Sequence, residues 1–372
     1  MKKIIISVTN DIITDQRVFR IANSLSNNGF EVFIIGRKTR NSLPIENFPF
    51  KFIRFRLIFG RGPFFYACFN LRLFLYLLIN KTDMLLSNDL DTLLPNYIIS
   101  RLKRIPLVYD SHEYFTEVPE LVNRQGTKKI WLLIENYILP KLNYACTVSQ
   151  SIADAYFEKY NIDMKVIRNL PVLAEPTKKK IIISGLNGEK VILYQGTLNP
   201  GRGIETAIEA MRYIPDAKFV IVGEGPERNK LEKLSYKLKL TDKVLFMGRY
   251  LPSDLKSITS QADVGISLEE NIGLSYKYSL PNKLFDYIHA NVPVLVSPLI
   301  EMKGIVEEYG IGEVLEKHSP EYLAEKIKDM LADKEKILEW KKNLLMASRD
   351  LCWENEEQVL FKLFKQIKKI KK

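Results

Sequence analysis

The sequence has little cysteine, little histidine and no long apolar run. Only three of its 372 residues are cysteine, and Cys68, Cys146 and Cys352 lie far apart without metal-ligand spacing. This pattern argues against a disulfide framework and is typical of a reducing compartment. The three histidines are equally scattered. We therefore expect no metal site built from clustered histidines and predict no metal ligands and no cofactor.

Apolar segments are too short to span a bilayer. The most apolar stretch, residues 64–79, contains Arg72 and favours a core helix or an interfacial helix. The first residues, MKKIIISVTND, have too short an apolar run for a signal peptide and instead predict a strand that ends near Asn10. We therefore expect a cytoplasmic protein.

Positive charge is concentrated in the first half of the chain. Residues 1–180 contain 26 of the 55 Lys and Arg but only 16 of the 44 Asp and Glu. Basic charge among aromatics suits nucleic acid or an anionic membrane, but no nucleic-acid-binding motif is present. Arg54, Arg56 and Arg61, the segment 64–79 and the lysine-rich end favour a peripheral contact with the inner membrane face. The alternative is a basic soluble protein with no membrane role.

Short apolar strands alternate with helical patterns along the whole chain, which predicts an α/β fold with parallel sheets. The pattern stops at residues 171–190, which contain Pro, Lys and Gly, and then restarts. The predicted domains are an N-terminal Rossmann-like domain (1–172), a linker (173–189), a C-terminal Rossmann-like domain (190–350) and a basic C-terminal helix (351–372). Ligands of such sheets bind at the carboxyl ends of the strands.

Residues 279–298, SLPNKLFDYIHANVPVLVSP, carry a ligand signal. Pro281 suits a helix start, and Asn291 suits its left-handed end. Lys283 lies in the first helical turn, where the helix dipole disfavours a cation. An anion bound by Lys283 and by free backbone N–H groups would explain why a cation lies there. Asp286, one turn later, could bind a ribose hydroxyl. The alternative is a solvated Lys and Asp on a surface helix.

The loop GTLNPGRG, residues 196–203, lies between a predicted strand and a predicted helix. Such a loop can cradle phosphate, and Arg202 adds a bidentate donor. It lacks the Gly-Lys-Ser/Thr end of a Walker A motif and the spaced glycines of a dinucleotide fingerprint. Glycines that only allow tight turns are the alternative.

His112 lies in the polar loop after a predicted strand, between Asp110 and Glu113. It could act as acid, base or sugar contact, or be bonded into the loop for structure. His289 and His318 are expected at helix or surface positions.

Two short acidic segments are expected to have structural rather than ligand-binding roles. Asp89-Leu90-Asp91 resembles a metal-binding triplet but precedes a helix, so we expect N-capping. Glu269 and Glu270 are expected to be solvated loop charges.

These segments together, in this order, resemble family 4 of the glycosyltransferases, of group 1 type. The resemblance covers nearly the whole chain and is strongest in the second half. The segments that carry it are LVYDSHEYFTEVPEL, CTVSQSIADAYFEKY, YQGTLNPGRGIETAIEAM, FVIVGEGPERNKLEKL, VLFMGRYLPSDLKSITSQADVGIS and LPNKLFDYIHANVPVLVS. The resemblance implies the GT-B fold, with two facing Rossmann-like domains and the donor bound in the cleft between them.

By this similarity Arg202 would neutralise the donor diphosphate, Asp286 would bind the ribose and His112 would contact the donor sugar. The chain departs from the family pattern at Tyr278, where the first Glu of the Glu-x7-Glu pair is usual, and at Thr197, where a basic residue is usual. We infer that Lys283 supplies the missing charge, with Glu269 or Glu270 as a substitute for the first Glu. The glycine-rich first loop is replaced by TNDIITDQR, so Asp11, Asp15 or Arg17 could meet the acceptor or phosphate.

The resemblance implies a retaining glycosyltransferase that uses a UDP- or GDP-linked sugar and a glycan or lipid-linked acceptor, in cell-surface polysaccharide synthesis. The alternatives are a sugar-nucleotide epimerase of the same fold and a non-catalytic nucleotide-sugar-binding subunit. The predicted catalytic residues are His112, Arg202 and Lys283. The predicted substrate-binding residues are Asp11, Arg17, Glu113, Gly196, Thr197, Gly203, Gly223, Gly225, Glu270, Ser279, Leu280, Asn282 and Asp286.

Overall fold

The computed structural model describes residues 1–12, 15–39, 42, 48–122, 124–173, 181–186 and 188–369. The chain divides into two compact units, one formed by Met1–Asn169 with Asn355–Lys372 and the other by Leu170–Glu354. Part of the predicted linker and the end of the basic tail, residues 370–372, lie outside the described residues.

In the described part of the first unit, seven parallel strands form one sheet in the order β3-β2-β1-β4-β5-β6-β7. These strands are β1 (Lys2–Asp11), β2 (Phe30–Lys38), β3 (Lys51–Arg56), β4 (Met84–Asn88), β5 (Leu107–Ser111), β6 (Ala145–Thr147) and β7 (Lys165–Val166). The helices before the boundary are α1 (Gln16–Asn27), α2 (Pro63–Ile79), α3 (Leu90–Lys103), α4 (Pro119–Val122), α5 (Gln125–Ile138) and α6 (Gln150–Tyr160). Ile4, Ile5 and Ile6 in β1 are completely buried, as expected for a central strand of a parallel sheet.

The second unit contains a six-stranded parallel sheet among its described residues, in the order β10-β9-β8-β11-β12-β13. These strands are β8 (Lys190–Gln195), β9 (Ala217–Val222), β10 (Val244–Gly248), β11 (Val264–Ser267), β12 (Val294–Val296) and β13 (Gly312–Val314). The helices are α7 (Ile204–Ala210), α8 (Arg228–Lys237), α9 (Pro252–Thr259), α10 (Leu274–Lys277), α11 (Asn282–His289), α12 (Ile300–Tyr309), α13 (Pro320–Ala332) and α14 (Lys334–Asp350). The predicted α/β fold with two parallel sheets is confirmed.

The last helix, α15 (Trp353–Lys369), belongs almost entirely to the first unit. Its Phe364 ring packs at a centroid distance of 5.8 Å from the ring of Phe30 in β2. Ser24 in α1 donates a hydrogen bond of 2.8 Å to Glu357. The last helix therefore packs in the same compact unit as β1 and β2.

The helix predicted near Lys283 is α11, and Pro281 occupies its N-cap position. Leu284 and Phe285 are completely buried, so the apolar stripe of this helix faces the core. Asn291 has a φ of +58°, the left-handed conformation predicted for the residue that ends the helix. This local geometry places Lys283 in the first turn, as its sequence position predicts.

The apolar segment 64–79 forms α2. One side of this helix is buried and the other is exposed, although both sides carry apolar residues. Phe69, Leu73 and Leu77 are completely buried, whereas Leu71 and Ile79 are 61% and 79% exposed. No helix among the described residues combines the length and apolarity needed to cross a membrane.

Candidate functional site: buried charges at the carboxyl ends of two sheets

The glycine-rich loop 196–203 follows β8, as predicted. Gly196 has a φ of +139°, and its N–H donates a hydrogen bond of 2.9 Å to Val222 O. A Cβ atom on Gly223 would lie 1.8 Å from Gly196 O, so only glycine allows the ends of β8 and β9 to meet this closely. A Cβ atom on Gly196 would lie 3.5 Å from Lys283 Cε. The backbone of the loop therefore lies directly beside the lysine of α11.

Lys283 and Arg202 share one carboxylate, that of Glu269. Lys283 Nζ lies 2.7 Å from Glu269 Oε1, and Arg202 Nη1 lies 3.1 Å from the same oxygen. Ser267 Oγ donates a hydrogen bond of 2.7 Å to the other oxygen, Oε2. Glu269 is completely buried, and the Lys283 side chain is 7% exposed. We call Arg202, Glu269 and Lys283 the charged triad.

The triad corrects the sequence interpretation of Glu269, which was expected to be solvated. The sequence gives no sign that Glu269 is buried, because its partners lie 67 and 14 residues away in the chain. Two cations around one buried carboxylate leave a net positive charge, and an unneutralised buried charge is costly. The arrangement can therefore accept a further anion.

The pKa values of the triad follow from burial and mutual attraction. Burial alone would raise the pKa of Glu269, but Lys283 and Arg202 outweigh it and lower this pKa to about 2. Burial lowers the pKa of Lys283 to about 8, an effect that Arg202 adds to and Glu269 opposes. Glu269 is therefore ionised at neutral pH, whereas Lys283 begins to lose its charge in mildly alkaline solution.

Aromatic rings support both cations. Lys283 Nζ lies 4.2 Å from the ring centre of Tyr194, and the Arg202 guanidinium lies 4.7 Å from that of Tyr276. Arg202 Nε and Ser279 Oγ are buried without a hydrogen-bond partner among the described residues. Such buried groups normally have partners, so these two atoms are available to a ligand.

Asp286, the predicted ribose contact, is held by a residue that sequence reasoning missed. Gln195 Nε2 donates a hydrogen bond of 2.7 Å to Asp286 Oδ2, and Thr259 Oγ1 donates one of 2.6 Å to Gln195 Oε1. The Gln195 N–H donates to the hydroxyl of Tyr287 at 3.2 Å. Gln195 is the last residue of β8 and directly precedes the glycine-rich loop 196–203. This position in the sequence could have identified it as a site residue.

The other predicted substrate-binding residues of the second unit differ in exposure and packing. Thr197 and Asn282 are exposed, and Glu270 is half-buried, with its N–H donating to Gly201 O at 2.9 Å. The side chain of Leu280 packs in the hydrophobic core. Gly203 and Gly225 are loop positions where a Cβ atom would lie 2.4 Å from a backbone oxygen.

Two further positions bear on the first Glu of the family pattern. Tyr278 ends α10 and is half-buried, so the usual carboxylate position holds an aromatic side chain. His318, expected at a helix or surface position, follows β13 and bonds to Ser297 Oγ at 3.0 Å. Burial lowers its pKa, although Glu270 and Glu269 oppose that shift. His318 therefore belongs to the same carboxyl edge as the charged triad.

His112 lies at the carboxyl end of the first sheet, between two acids. Its Nδ1 is 3.5 Å from Asp89 Oδ2, and its Nε2 is 3.3 Å from Asp110 Oδ2 and 3.1 Å from Asn88 Oδ1. Burial alone would lower the pKa of His112, but Asp89 and Asp110 outweigh it and raise this pKa to about 10. The imidazole is therefore a cation at neutral pH, which suits charge stabilisation better than general-base catalysis.

Arg17, a predicted ligand contact, is bonded to other residues of the first unit. Its Nε and Nη2 donate to the two oxygens of Asp110 at 2.9 and 2.6 Å, and Nη1 donates to Ile167 O at 2.6 Å. The Arg17 side chain is 2% exposed. The guanidinium thus forms a buried, bidentate ion pair that joins α1 to β5, which is a structural role, and a contact with acceptor or phosphate stays a prediction.

The acidic triplet before α3 does not cap the helix as expected. Asp89 holds the N-cap position with a φ of +56°, but its Oδ1 accepts from the His112 N–H at 2.8 Å rather than from the helix. Asp91 accepts from Thr9 Oγ1 at 2.5 Å. Burial, with Asp89 adding to it, raises the pKa of Asp91 to about 7. No group of His, Cys, Asp and Glu side chains among the described residues is placed to hold a metal ion.

Asp11 and Glu113 lie in loops of the same unit. Asp11 ends β1, and its Oδ2 accepts from Ser42 Oγ at 2.5 Å. The backbone oxygen of Glu113 accepts from Ser111 Oγ at 2.7 Å. Of the predicted site residues, Asp11, Arg17, His112 and Glu113 belong to the first unit and the others to the second.

Comparisons with known proteins agree with this architecture. The family model described as "Glycosyltransferase Family 4" matches residues 15–170, and the model "Glycosyl transferases group 1" matches residues 177–344. The chain is 24% identical to alpha-D-kanosaminyltransferase of Streptomyces kanamyceticus over 256 residues. This alignment covers 64% of each protein, so the chain spans just under two thirds of that relative's length.

Similar solved structures cover the whole fold. Sucrose-phosphate synthase from Thermosynechococcus elongatus has a TM-score of 0.80 at 19% identity and covers 99% of both chains. The Anabaena protein Alr3699/HepE, in complex with UDP and glucose, has a TM-score of 0.75 at 15% identity and covers 98% of this chain and 100% of its own. The two family models follow one another along the chain, and the fold is GT-B. The chain therefore belongs to the family 4 glycosyltransferases of group 1 type.

Proposed function

We propose that this protein transfers a sugar from a UDP- or GDP-linked donor to a hydroxyl of a glycan or lipid-linked acceptor, in cell-surface polysaccharide synthesis. The observation that carries the proposal is the charged triad beside Gly196, in which the buried Lys283 and the half-buried Arg202 share one buried carboxylate. Arg202 Nε has no acceptor among the described residues, so the triad has capacity for a diphosphate. The family relationship and the UDP-bound neighbour support this ligand class.

The reaction exchanges two bonds at the anomeric carbon of the donor sugar. The bond from this carbon to the diphosphate oxygen breaks, and its electron pair leaves with the diphosphate. The acceptor oxygen forms the new bond on the face that the diphosphate leaves, as the family resemblance implies, and its proton passes to an oxygen of the departing diphosphate. Lys283 and Arg202 stabilise the charge that develops on the leaving diphosphate, an effect that can amount to several kcal/mol.

Metal-independent transfer follows from this assignment of charge. Lys283 and Arg202 already place two positive charges where the diphosphate would develop negative charge. We therefore expect transfer to continue in a chelator and not to increase when Mg²⁺ is added. Loss of activity in the chelator, restored by Mg²⁺, would contradict this part of the proposal.

The acceptor is assigned to the first unit and the donor to the second. The carboxyl end of the first sheet presents Asp91 and Thr9 beside His112, the cation that the family resemblance assigns to the donor sugar. These donors and acceptors suit the hydroxyl groups of a sugar. The exposed apolar side chains of α2 and the positive charge of the first 180 residues support a peripheral contact with an anionic membrane, where a lipid-linked acceptor would lie.

A panel of labelled UDP- and GDP-sugars incubated with the purified protein tests the proposal. Sugar transfer, or slow release of nucleoside diphosphate without an acceptor, is the expected result. Formation of an epimer would instead favour a sugar-nucleotide epimerase. Binding of a donor without any turnover in the presence of acceptor extracts would favour a non-catalytic binding subunit.

A further inference from the structure

Three helices of the first unit expose large apolar side chains. α3 packs against both α2 and α5. Leu71 and Ile79 on α2 are 61% and 79% exposed, Leu94 and Leu102 on α3 are 40% and 63% exposed, and Ile130 and Leu133 on α5 are 58% and 70% exposed. Exposed apolar patches of this kind on a soluble fold mark interaction surfaces. We call these side chains the apolar face.

The three helices present no carboxylate to solvent. α2 contains no acidic residue, and the acids of the other two helices, Asp91 and Glu135, are 8% and 0% exposed. Glu135 is held inside by Tyr160, whose hydroxyl donates to Oε2 at 2.7 Å. The exposed charges on these helices are therefore all positive, which suits an anionic partner.

A basic cavity of about 350 Å³ adjoins the end of α3, near the amino ends of β5 and β6. It is lined by Arg101, Arg104 and Lys141, with Tyr97 and Ser100, and by no acidic side chain. None of the three cations forms an ion pair with any residue in the described part of the chain. This cavity lies at the opposite edge of the sheet from His112, so it is separate from the proposed acceptor site.

Two of these cations, Arg101 and Lys141, contact neighbouring groups that fix their side chains. Arg101 Nη2 donates to Lys141 O at 3.0 Å, and its guanidinium lies 5.1 Å from the ring centre of Tyr97. Lys141 Nζ lies 3.1 Å from the ring centre of Tyr137, which packs at 6.3 Å against Tyr97. Favourable interactions with helix dipoles contribute to the placement of Arg101 and Arg104 at the end of α3 and of Lys141 in the short 3-10 helix that follows α5. They do not supply a counter-ion, so all three cations can still bind an anion in the cavity.

We propose that the apolar face rests on an anionic bilayer and that the cavity binds the phosphate of one of its phospholipids. At a membrane surface, the apolar side chains would contact the acyl chains and the neighbouring cations would contact the lipid phosphates. A second copy of the chain is a poorer occupant, because a two-fold axis through this face would bring like charges together. The inference rests on the proposed peripheral membrane contact and does not depend on sugar transfer.

Co-sedimentation of the full-length protein with vesicles tests the inference. Binding is expected to vesicles of equimolar phosphatidylcholine and phosphatidylglycerol but not to phosphatidylcholine alone. Each surface cation contributes roughly fivefold to such binding, so combining Arg101→Gln, Arg104→Gln and Lys141→Gln should weaken it about a hundredfold. The matched control combines Lys328→Gln, Lys341→Gln and Lys342→Gln, which removes the same charge from exposed positions of the second unit. Equal losses in both triple variants would overturn the inference.

Further measurements distinguish the bilayer from two other occupants, a second copy of the chain and a soluble phosphate. Leu102→Ser with Leu133→Ser should weaken vesicle binding at least tenfold, whereas Leu338→Ser with Leu345→Ser on α14, also exposed, should not. A dimer in sedimentation velocity that the first pair of substitutions dissociates would instead assign the face to a second copy and overturn the inference. Thermal stabilisation by glycerol phosphate, without any vesicle binding, would assign the cavity to a soluble phosphate and also overturn it. Release of nucleoside diphosphate from soluble donors should be unchanged in every variant, so failure here is distinct from failure of the proposed transferase activity.

Discussion

Lys283 Nζ lies 2.7 Å from Glu269 Oε1, and neither side chain is exposed by more than 7%. Arg202 contacts the same oxygen at 3.1 Å. Ion pairs this deeply buried lose their hydration, so removing one member leaves an uncompensated charge. The pair therefore links the stability of the second unit to its proposed capacity for a diphosphate.

Replacement of the shared carboxylate tests the stability side of this relationship. Glu269→Gln should lower the free energy of unfolding by about 3–5 kcal/mol, because the buried Lys283 ammonium and the half-buried Arg202 guanidinium lose their counter-charge. Urea denaturation at neutral pH measures the change. Glu270→Gln is the matched control, since Glu270 is half-buried and should change stability by less than about 0.5 kcal/mol. Similar midpoints for the two variants would contradict the burial of Glu269.

The pH dependence of nucleotide binding should report the state of Lys283. Its pKa is lowered to about 8, so the ammonium is charged below that pH and loses its charge above it. Affinity for a nucleoside diphosphate should therefore fall as pH rises through about 8, with a midpoint moved upward by the bound anion itself. Calorimetric titrations across this range measure the effect.

Lys283→Arg is the control for this titration, because a guanidinium stays charged throughout the range. The variant should bind with an affinity that is nearly constant between about pH 7 and about pH 9.5. An identical alkaline loss in the wild type and the variant would assign the titration to another group.

Gln195 should act on ribose recognition through Asp286, which it holds at 2.7 Å. In Gln195→Leu, the ratio of the affinity for a nucleoside diphosphate to that for its 2′-deoxy or 3′-deoxy form should fall by roughly tenfold. This corresponds to the free energy of one hydrogen bond to a charged group. Inorganic pyrophosphate should bind as in the wild type, because it lacks the ribose. Equal losses for pyrophosphate and nucleotide would show that the substitution disturbs the whole loop instead.

His112 should stabilise the first unit in a pH-dependent way. Its folded pKa is raised to about 10 from its usual 6.5, so its contribution is complete below the unfolded pKa and disappears as pH rises through the folded one. The difference in unfolding free energy between wild type and His112→Asn should be largest near about pH 6 and should decline toward about pH 10. A difference that does not change with pH would contradict the charged imidazole between Asp89 and Asp110.

Local pattern was sufficient to predict the α/β architecture and where several candidate site residues lie in it. Strand ends and glycine turns are encoded by adjacent residues, so the position of His112 after β5 and that of Arg202 before α7 could be predicted. The first-turn position of Lys283 followed from Pro281 and the apolar stripe that comes after it. These features depend on residues only a few positions apart.

Partner choice across long sequence separations could not be predicted. Arg17 and Asp110 are 93 residues apart, and their bidentate pair exists only because the fold brings α1 beside β5. Glu269 was interpreted as solvated for the same reason, since its burial depends on Arg202 and Lys283 together. Asp89 was expected to cap α3, but the His112 N–H, 23 residues away, competes for its carboxylate. In each case a tertiary contact replaced the interaction that the local sequence favoured.

Calorimetric titration of UDP and GDP tests the central claim most directly, namely that Arg202 and Lys283 bind a nucleoside diphosphate. The wild type should bind at least one of the two nucleotides, and Arg202→Ala and Lys283→Ala should each weaken that binding at least tenfold, as expected for a charge-assisted hydrogen bond. Lys277→Ala, at an exposed position on α10, should bind like the wild type. Absence of binding in the wild type, or equal affinity in all four proteins, would contradict the account.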